Sequence, residues 1–396
     1  MENFTNKQIN FDILKERAHN LRWAEVPEGV IPLTAADHDF PCAPEVVNAL
    51  TDYVKDGYFP YIENQGMPRF KEDLAKAFNE RKHEHVEAKY VLPIDSAARG
   101  MNVIAHAFLQ PGDECIVFDP VDFLFRTNME DAGATIKLFP TKVKDGHITL
   151  EDLEGYITPK TKMIGFCNPH NPMGLLYTKE ELEHLLDLSE KYGIYIMNDE
   201  IWSDMIYPDG EFHSLLEFGP ERNKRTLSVY GFSKTFGVAG LRIGCVYATN
   251  QENYDKLVEA SMVESTVGGI NLLSQIAGIA CLEKGFYRVE QFIQQIAENR
   301  DYALERIAKM PGITCHKPTA TFVIFPDISA TGMDPVDLVA LLKDKYKLAI
   351  VPGGKRFFGP GSDGHVRICL ATSHEVLAEG MDRLERCMND IMADKK

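Results

Sequence analysis

The stretch Ser228-Val-Tyr-Gly-Phe-Ser-Lys-Thr-Phe-Gly-Val-Ala-Gly-Leu-Arg-Ile-Gly244 decides the fold of this chain. Thr226–Tyr230 is an apolar run that predicts a short strand, and the glycines after it exclude a long helix. Lys234 follows that strand on a Ser-Lys-Thr turn, and Arg242 lies in Gly-Leu-Arg-Ile-Gly. A lysine on a turn is usually a surface charge. A lysine followed by this arginine also suits a site in which the lysine amine bonds to an aldehyde and the arginine guanidinium binds a phosphate.

Composition excludes several classes of protein. The chain has 396 residues and is 44% hydrophobic, which favours two or three domains with a full core. Its net charge of −17 argues against a nucleic-acid partner and against an anionic membrane surface. The sequence contains no run of about 18 apolar residues, so we expect no membrane span. The first residues, Met-Glu-Asn-Phe-Thr-Asn-Lys-Gln, lack the apolar core of a signal peptide.

The cysteines favour a reducing compartment. All eight are widely scattered, and no Cys-x-x-Cys pair occurs. Most lie in apolar runs, where a reduced and buried thiol is the expected state. We therefore expect a cytoplasmic enzyme, and the cysteine spacing predicts no metal site.

Strand and helix patterns alternate between residues 90 and 250. This alternation predicts a mainly parallel sheet, with the functional site at the carboxyl ends of its strands. Three further motifs follow predicted strands or lie on one. They are Asn168-Pro-His-Asn-Pro-Met-Gly174, Asp199 at the end of Ile194-Tyr-Ile-Met-Asn-Asp, and Arg367 in His365-Val-Arg-Ile-Cys-Leu-Ala371.

Together with the Ser-Lys-Thr turn, these motifs resemble the fold-type I pyridoxal-phosphate-dependent aminotransferases of class I/II, from about residue 30 to 390. The resemblance implies the α/β fold of that type, with a mainly parallel central sheet and a smaller α/β domain. It places the large cofactor-binding domain at 46–290, and the N-terminal arm and small domain at 1–45 plus 291–396. It also implies a homodimer with shared active sites.

The resemblance assigns a role to each motif residue. Lys234 is implied as the lysine that bonds to the cofactor and then moves the substrate's α-proton. Asp199 is implied at the ring nitrogen, and Arg367 at the substrate carboxylate. Asn171 is implied both at the ring hydroxyl oxygen and at the substrate. The remaining implied contacts are Ser96, Ala97, Ala98, Ser233 and Arg242 around the phosphate, Ala36 near the substrate carboxylate, and Tyr61 reaching the phosphate in the neighbouring subunit.

Several positions depart from the family pattern. Asp122 occupies the place of the usual aromatic that stacks on the ring, so we expect Phe123 to stack after a one-residue shift or the ring to be covered otherwise. Trp202 replaces the usual tyrosine near the ring hydroxyl oxygen, and its indole N–H can donate but not accept. Arg99 replaces a neutral residue beside the phosphate turn, and Tyr58 competes with Tyr61 for the intersubunit role.

The expected function is transfer of an amino group from an L-amino acid to a 2-oxo acid. Asp199-Glu-Ile-Trp-Ser-Asp204 is similar to the cystathionine β-lyase-like subgroup, so a C–S β-lyase remains an alternative. A cofactor-binding regulator is a weaker interpretation, because the sequence has no helix-turn-helix extension or basic segment. The sequence does not identify the substrate side chain, and no second arginine of the aspartate type can be assigned.

Overall fold

The computed structural model describes residues 4–265 and 269–394. Its α-helices, in chain order, are α1 (Pro44–Asp56), α2 (Pro68–Lys82), α3 (Ala97–Phe108), α4 (Phe123–Asp131), α5 (Lys179–Tyr192), α6 (Phe232–Phe236), α7 (Gln251–Ser261), α8 (Leu272–Lys284), α9 (Phe286–Ile307), α10 (Pro335–Lys345) and α11 (His374–Ala393). None of the helices in this described part is long and apolar enough to cross a bilayer.

The strands, in chain order, are β1 (Ile31–Pro32), β2 (Val91–Ile94), β3 (Glu114–Asp119), β4 (Thr135–Pro140), β5 (Lys142–Lys144), β6 (His147–Thr149), β7 (Thr161–Cys167), β8 (Tyr195–Asp199), β9 (Thr226–Gly231), β10 (Gly244–Tyr247), β11 (Val323–Ile324), β12 (Leu348–Ala349), β13 (Val351–Pro352) and β14 (Val366–Cys369). Within the described residues, the largest sheet has the order β2-β10-β9-β8-β7-β3-β4. The run from β9 through β8, β7 and β3 to β4 is parallel, and β10 is antiparallel to both of its neighbours. The α/β fold with a mainly parallel sheet is therefore confirmed.

The central strands are buried along almost their whole length, as expected for parallel strands inside an α/β protein. Every residue of β9 is buried, including the hydroxyl-bearing Thr226 and Ser228. Because β3, β7, β8 and β9 run in the same direction, their carboxyl ends lie along one edge of the sheet. Asp122, Asn171, Asp199 and Lys234 are at or just beyond those ends.

A second hydrophobic cluster joins the two ends of the chain. It combines Trp23 and Leu33 with apolar side chains from α9, α10 and α11. β1 pairs in parallel with β12, so the N-terminal arm forms part of the same structure as the C-terminal segments. The small domain built from both ends of the chain, with boundaries at 45/46 and 290/291, stays a prediction.

The sequence pattern of residues 272–308 predicts one long helical region. The structure has two helices there, α8 and α9, which meet at Gly285. A Cβ at Gly285 would lie 2.7 Å from the carbonyl oxygen of Cys281, so the chain can turn this tightly only with glycine. Residues 265–271 are predicted to open this region, and 266–268 lie outside the described residues.

Candidate active site

Lys234 lies on a tight turn at the end of the central strand β9. The turn is the short helix α6, which begins after extended Gly231 and ends at Gly237, where φ is +67°. A Cβ on Gly237 would also lie 2.8 Å from Nδ1 of His38, so glycine is needed for both conformation and space. The turn therefore presents the lysine side chain at the carboxyl edge of the sheet.

The Lys234 amine contacts the N-terminal loop. Its Nζ donates a hydrogen bond to the carbonyl oxygen of Ala36 at 2.5 Å and lies 5.5 Å from the centre of the Trp202 ring. Burial lowers the pKa of Lys234, and the positive charge of Arg367 lowers it further. The negative charge of Asp37 raises this pKa but does not cancel the effect of burial. The surroundings thus favour the neutral amine more than water does, as a nucleophile and base requires.

Hydrogen bonds hold this turn from two different sides. Thr235 and Tyr230 both donate hydroxyl hydrogen bonds to Oδ2 of Asp204, at 3.0 and 2.6 Å. On the other side, Nε2 of His38 contacts the carbonyl oxygen of Lys234 at 2.8 Å. The Asp199–Asp204 segment and the N-terminal loop therefore both fix the position of the lysine backbone.

Asp199 ends strand β8 as a buried carboxylate. Its Oδ1 accepts a hydrogen bond from the backbone N–H of Ile201 at 3.0 Å. Burial is the main cause that raises the pKa of Asp199 to about 7, and the negative charges of Asp122 and Glu200 also raise it. The hydrogen bond from the Ile201 N–H lowers this pKa and offsets part of the shift. Since none of the described cations forms an ion pair with it, this carboxylate is suited to a positively charged group that is not part of the chain.

Asn171, Asp122 and Arg367 form a hydrogen-bonded chain. The Asn171 amide donates from Nδ2 to Oδ2 of Asp122 at 3.0 Å, and its Oδ1 accepts from Nη1 of Arg367 at 3.2 Å. Burial lowers the pKa of Arg367, whereas the Asp122 charge raises it. The buried Nε of Arg367 has no partner among the described residues, so this guanidinium keeps donor capacity for a further acceptor.

The turn Ser96-Ala97-Ala98 opens helix α3. Ser96 caps the helix by accepting from the backbone N–H of Arg99 at 3.1 Å. A Cβ on Gly244 would lie 2.8 Å from the carbonyl carbon of Ser96, so strand β10 can approach the turn only through glycine. Arg99 extends along the helix to Oδ1 of Asn102 at 2.7 Å.

The other predicted residues are placed apart from these contacts. Phe123 begins α4 with 38% of its surface exposed, and its backbone N–H donates to the carbonyl oxygen of Phe357. Arg242 is exposed at φ +53°, and its guanidinium has no bonded partner among the described residues. Ser233 is partly buried, and Tyr61 is 98% exposed. The stacking role of Phe123 and the phosphate roles of Ser233, Arg242 and Tyr61 stay predictions.

A buried charge lies behind the N-terminal loop and was not predicted from the sequence. Arg22 is fully buried, pairs with Asp39 at 3.3 Å, and donates to the carbonyl oxygens of Asp37 at 2.8 Å and Pro32 at 2.9 Å. It thereby holds the loop that contacts Lys234. An arginine in a polar arm carries no local signal of burial, because its partners come from separate segments.

Comparison with known proteins shows the family of this chain. The model of the aminotransferase class I and II family matches residues 28–384. The chain is 33% identical over 365 residues to an aspartate aminotransferase of Thermotoga maritima, covering 91% of this chain and 92% of that protein. It is 30% identical over 365 residues to an aspartate aminotransferase of Pyrococcus horikoshii, with 91% of each chain covered. The chain belongs to the aminotransferase class I and II family.

Solved structures agree with this assignment. A pyridoxal-phosphate-bound protein from Clostridium difficile has a TM-score of 0.88 and 26% identity, covering 96% of this chain and 100% of that chain. Cystalysin from Treponema denticola has a TM-score of 0.89 and 23% identity, covering 99% of this chain and 100% of that chain. This similarity shows a shared fold. The protein is a pyridoxal-phosphate-dependent aminotransferase, and the C–S lyase alternative is not favoured.

The residues present fit pyridoxal 5′-phosphate. Lys234 is an amine with a lowered pKa, and Asp199 is a buried carboxylate without a cation among the described residues. Gly244 leaves room only for backbone beside the Ser96 turn, where helix N–H groups favour an anion. This set of donors and charges is complementary to an aldehyde, a protonatable ring nitrogen and a phosphate.

Proposed function

We propose that this aminotransferase moves the amino group of an L-amino acid to a 2-oxo acid with Lys234 as its catalytic lysine. The observation that carries the proposal is the placement of the Lys234 amine, which contacts the Ala36 carbonyl in surroundings that lower its pKa. In this state the amine accepts a proton from the substrate's α-carbon and later returns one. The lowered pKa increases the fraction of Lys234 that is available as a base near neutral pH.

Several groups would hold the cofactor. Asp199 would keep a proton on the ring nitrogen, and Asn171 and Trp202 would donate to the ring hydroxyl oxygen. When bound, pyridoxal phosphate supplies an electron sink for the bonds at the substrate's α-carbon. The phosphate would be bound by the N–H groups of the Ser96-Ala97-Ala98 turn, by Ser233 and by Arg242, and the ring would be covered by Phe123.

Arg367 would bind the substrate's α-carboxylate. A guanidinium offers a planar fork to a carboxylate, and the Nη1 of Arg367 is already occupied by Asn171. The unpartnered Nε supports an approach along the opposite edge of the guanidinium. Ala36 would line the same side, because its carbonyl oxygen is in contact with the Lys234 amine.

We also propose a homodimer in the cytoplasm, in which Tyr61 reaches the phosphate of the neighbouring site. Tyr61 is 98% exposed and Tyr58 is 75% exposed, so both phenols are available to a second copy. The eight unpaired cysteines support a reducing compartment.

Sedimentation should give twice the mass of the chain. Tyr61→Phe should weaken cofactor affinity more than Tyr58→Phe, and the reverse order would exchange their roles.

A half-reaction tests the proposed function. Holoenzyme mixed with a single L-amino acid and no acceptor should release one equivalent of 2-oxo acid per site and then stop. Because two relatives are named aspartate aminotransferases, L-aspartate is the first donor to test, followed by aromatic donors and alanine. Lys234→Ala should abolish this release, whereas the exposed control Lys309→Ala should not change it. Continuous formation of pyruvate and ammonia from cystathionine, with no donor active, would contradict the proposal.

A further inference from the structure

Asp122 has two separate hydrogen-bonding tasks at the start of helix α4. Its Oδ1 accepts from the backbone N–H of Leu124 at 3.1 Å, which caps the helix. Its Oδ2 accepts from Nδ2 of Asn171 at 3.0 Å, and its own backbone N–H donates to the Asn171 carbonyl oxygen at 3.2 Å. The second task joins Asp122 to a residue proposed to bind the cofactor.

The Asn171 amide is held at both ends by groups that allow only one orientation. An ionised carboxylate can only accept hydrogen bonds, and a guanidinium can only donate them. The nitrogen of Asn171 must therefore face Asp122, and its oxygen must face Arg367. A flipped amide would place N–H against N–H at Arg367, and oxygen against oxygen at Asp122.

This orientation determines what Asn171 can offer to a ligand. One of its two Nδ2 hydrogens is used on Asp122, and its oxygen is used on Arg367. The remaining Nδ2 hydrogen is the group that can donate to the ring hydroxyl oxygen of the cofactor. We propose that Asp122 is a positioning residue that fixes the Asn171 amide and, through its oxygen, the guanidinium of Arg367. This inference rests on the proposed function of the site.

The simpler role for Asp122 is helix capping alone, and Asp122→Asn separates the two roles. Asparagine caps helices as well as aspartate does, so the variant should fold like the wild type. If the introduced asparagine caps α4 with its oxygen, its nitrogen faces the Asn171 nitrogen, and two donors oppose each other. If the introduced amide is flipped, it regains the contact to Asn171 but loses the cap. One of the two tasks is therefore lost in either orientation.

The experiment measures the affinity of pyridoxal 5′-phosphate for the apoenzyme in four proteins: wild type, Asp122→Asn, Asn171→Ala and the double variant. We expect Asp122→Asn to weaken binding about tenfold in the wild-type background, as for a hydrogen bond to a charged group, and less than about twofold in the Asn171→Ala background. The pH titration of the bound cofactor's absorption should also shift in Asp122→Asn. The apoenzyme melting temperature should stay at the wild-type value.

Two results would overturn the inference. One is an unchanged cofactor affinity in both Asp122→Asn and Asp122→Ser, and the other is an equal loss of affinity in both backgrounds, as a capping role would give. Asp122→Ser, which keeps a helix cap but is too short to reach Asn171, should give the same loss as Asp122→Asn. A wild-type chain that binds no pyridoxal phosphate would overturn the proposed function itself. Normal cofactor affinity in the wild type, in Asp122→Asn and in Asp122→Ser would overturn only the role of Asp122.

Discussion

The ring of His38 contacts the backbone carbonyl oxygen of Lys234 through Nε2 at 2.8 Å. Because a carbonyl oxygen only accepts, the Nε2 of His38 must carry the proton. The same ring stacks on Phe292 at 4.2 Å, which holds it in place. Burial lowers the pKa of His38 to about 4, so the ring is neutral at neutral pH. His38 thus links the N-terminal loop to the backbone of the proposed catalytic lysine.

Replacing His38 by phenylalanine keeps an aromatic ring against Phe292 but removes the N–H that reaches the Lys234 carbonyl. We expect kcat to fall roughly fivefold, which corresponds to about 1 kcal/mol for one neutral hydrogen bond. Steady-state kinetics with a single donor–acceptor pair measures this effect. His106→Phe, at an exposed position of α3, is the control, and equal kcat values for the two variants would exclude a role for His38 in holding the lysine.

Trp202 should act as a hydrogen-bond donor to the cofactor. Its ring is buried edge-on against Phe322 at 4.7 Å, and the Lys234 amine lies near its face. Trp202→Tyr keeps a donor, so the pH titration of the bound cofactor's absorption should stay near that of the wild type. Trp202→Phe removes the donor and should raise the pKa seen in that titration. Identical titrations of the two variants would show that this position does not tune the cofactor.

Lys82 is the cation of a fully buried cluster beneath the site. Its Nζ lies 2.6 Å from Oε1 of Glu84 and 2.8 Å from Oε2 of Glu200. Burial raises the pKa of Glu84 to about 8, so Glu200 carries the negative charge of the cluster at neutral pH. Lys82→Met would leave this buried carboxylate without its cation and should cost about 3–5 kcal/mol of unfolding free energy. Chemical denaturation of the apoenzyme measures the loss. Lys89→Met removes an exposed pair with Glu87 and should leave the unfolding free energy nearly unchanged, because solvent screens an exposed ion pair. Similar losses of unfolding free energy in both variants would show that the buried cluster contributes no more to stability than the exposed pair does.

His170 should make the folded chain sensitive to acid. Burial lowers its pKa to about 3, and neither ring nitrogen has a partner among the described residues. Between about pH 6.5 and 3 the unfolded chain binds a proton at this residue and the folded chain does not, so stability falls as the pH falls. His170→Leu should reduce the loss of unfolding free energy between about pH 7 and pH 4.5 by about 2 kcal/mol. Denaturation curves at the two pH values test this, and an unchanged acid dependence would refute it.

Much of the fold was predictable because its signals are local. The buried runs of β7, β8 and β9 are recognisable as apolar segments, and the residues that follow them must share an edge when strands are parallel. The apolar pattern of residues 179–192 predicts a helix, and α5 begins at Lys179 and ends at Tyr192, because Thr178 caps it and Gly193 ends it. The sequence by itself therefore determined the α/β architecture and the edge at which Asn171 and Lys234 lie.

The pairing of the charged and polar groups in the site depends on tertiary packing and could not be predicted from the sequence. Arg22 is buried against Asp39, and His38 contacts the carbonyl of Lys234, although 196 positions separate the latter two residues. Asp122 was visible only as a departure from a family pattern, and its bond to Asn171 depends on how two loops pack beyond different strands. Local pattern specifies strands and turns, whereas hydrogen-bond partners are chosen by the close packing of segments that are distant in the chain.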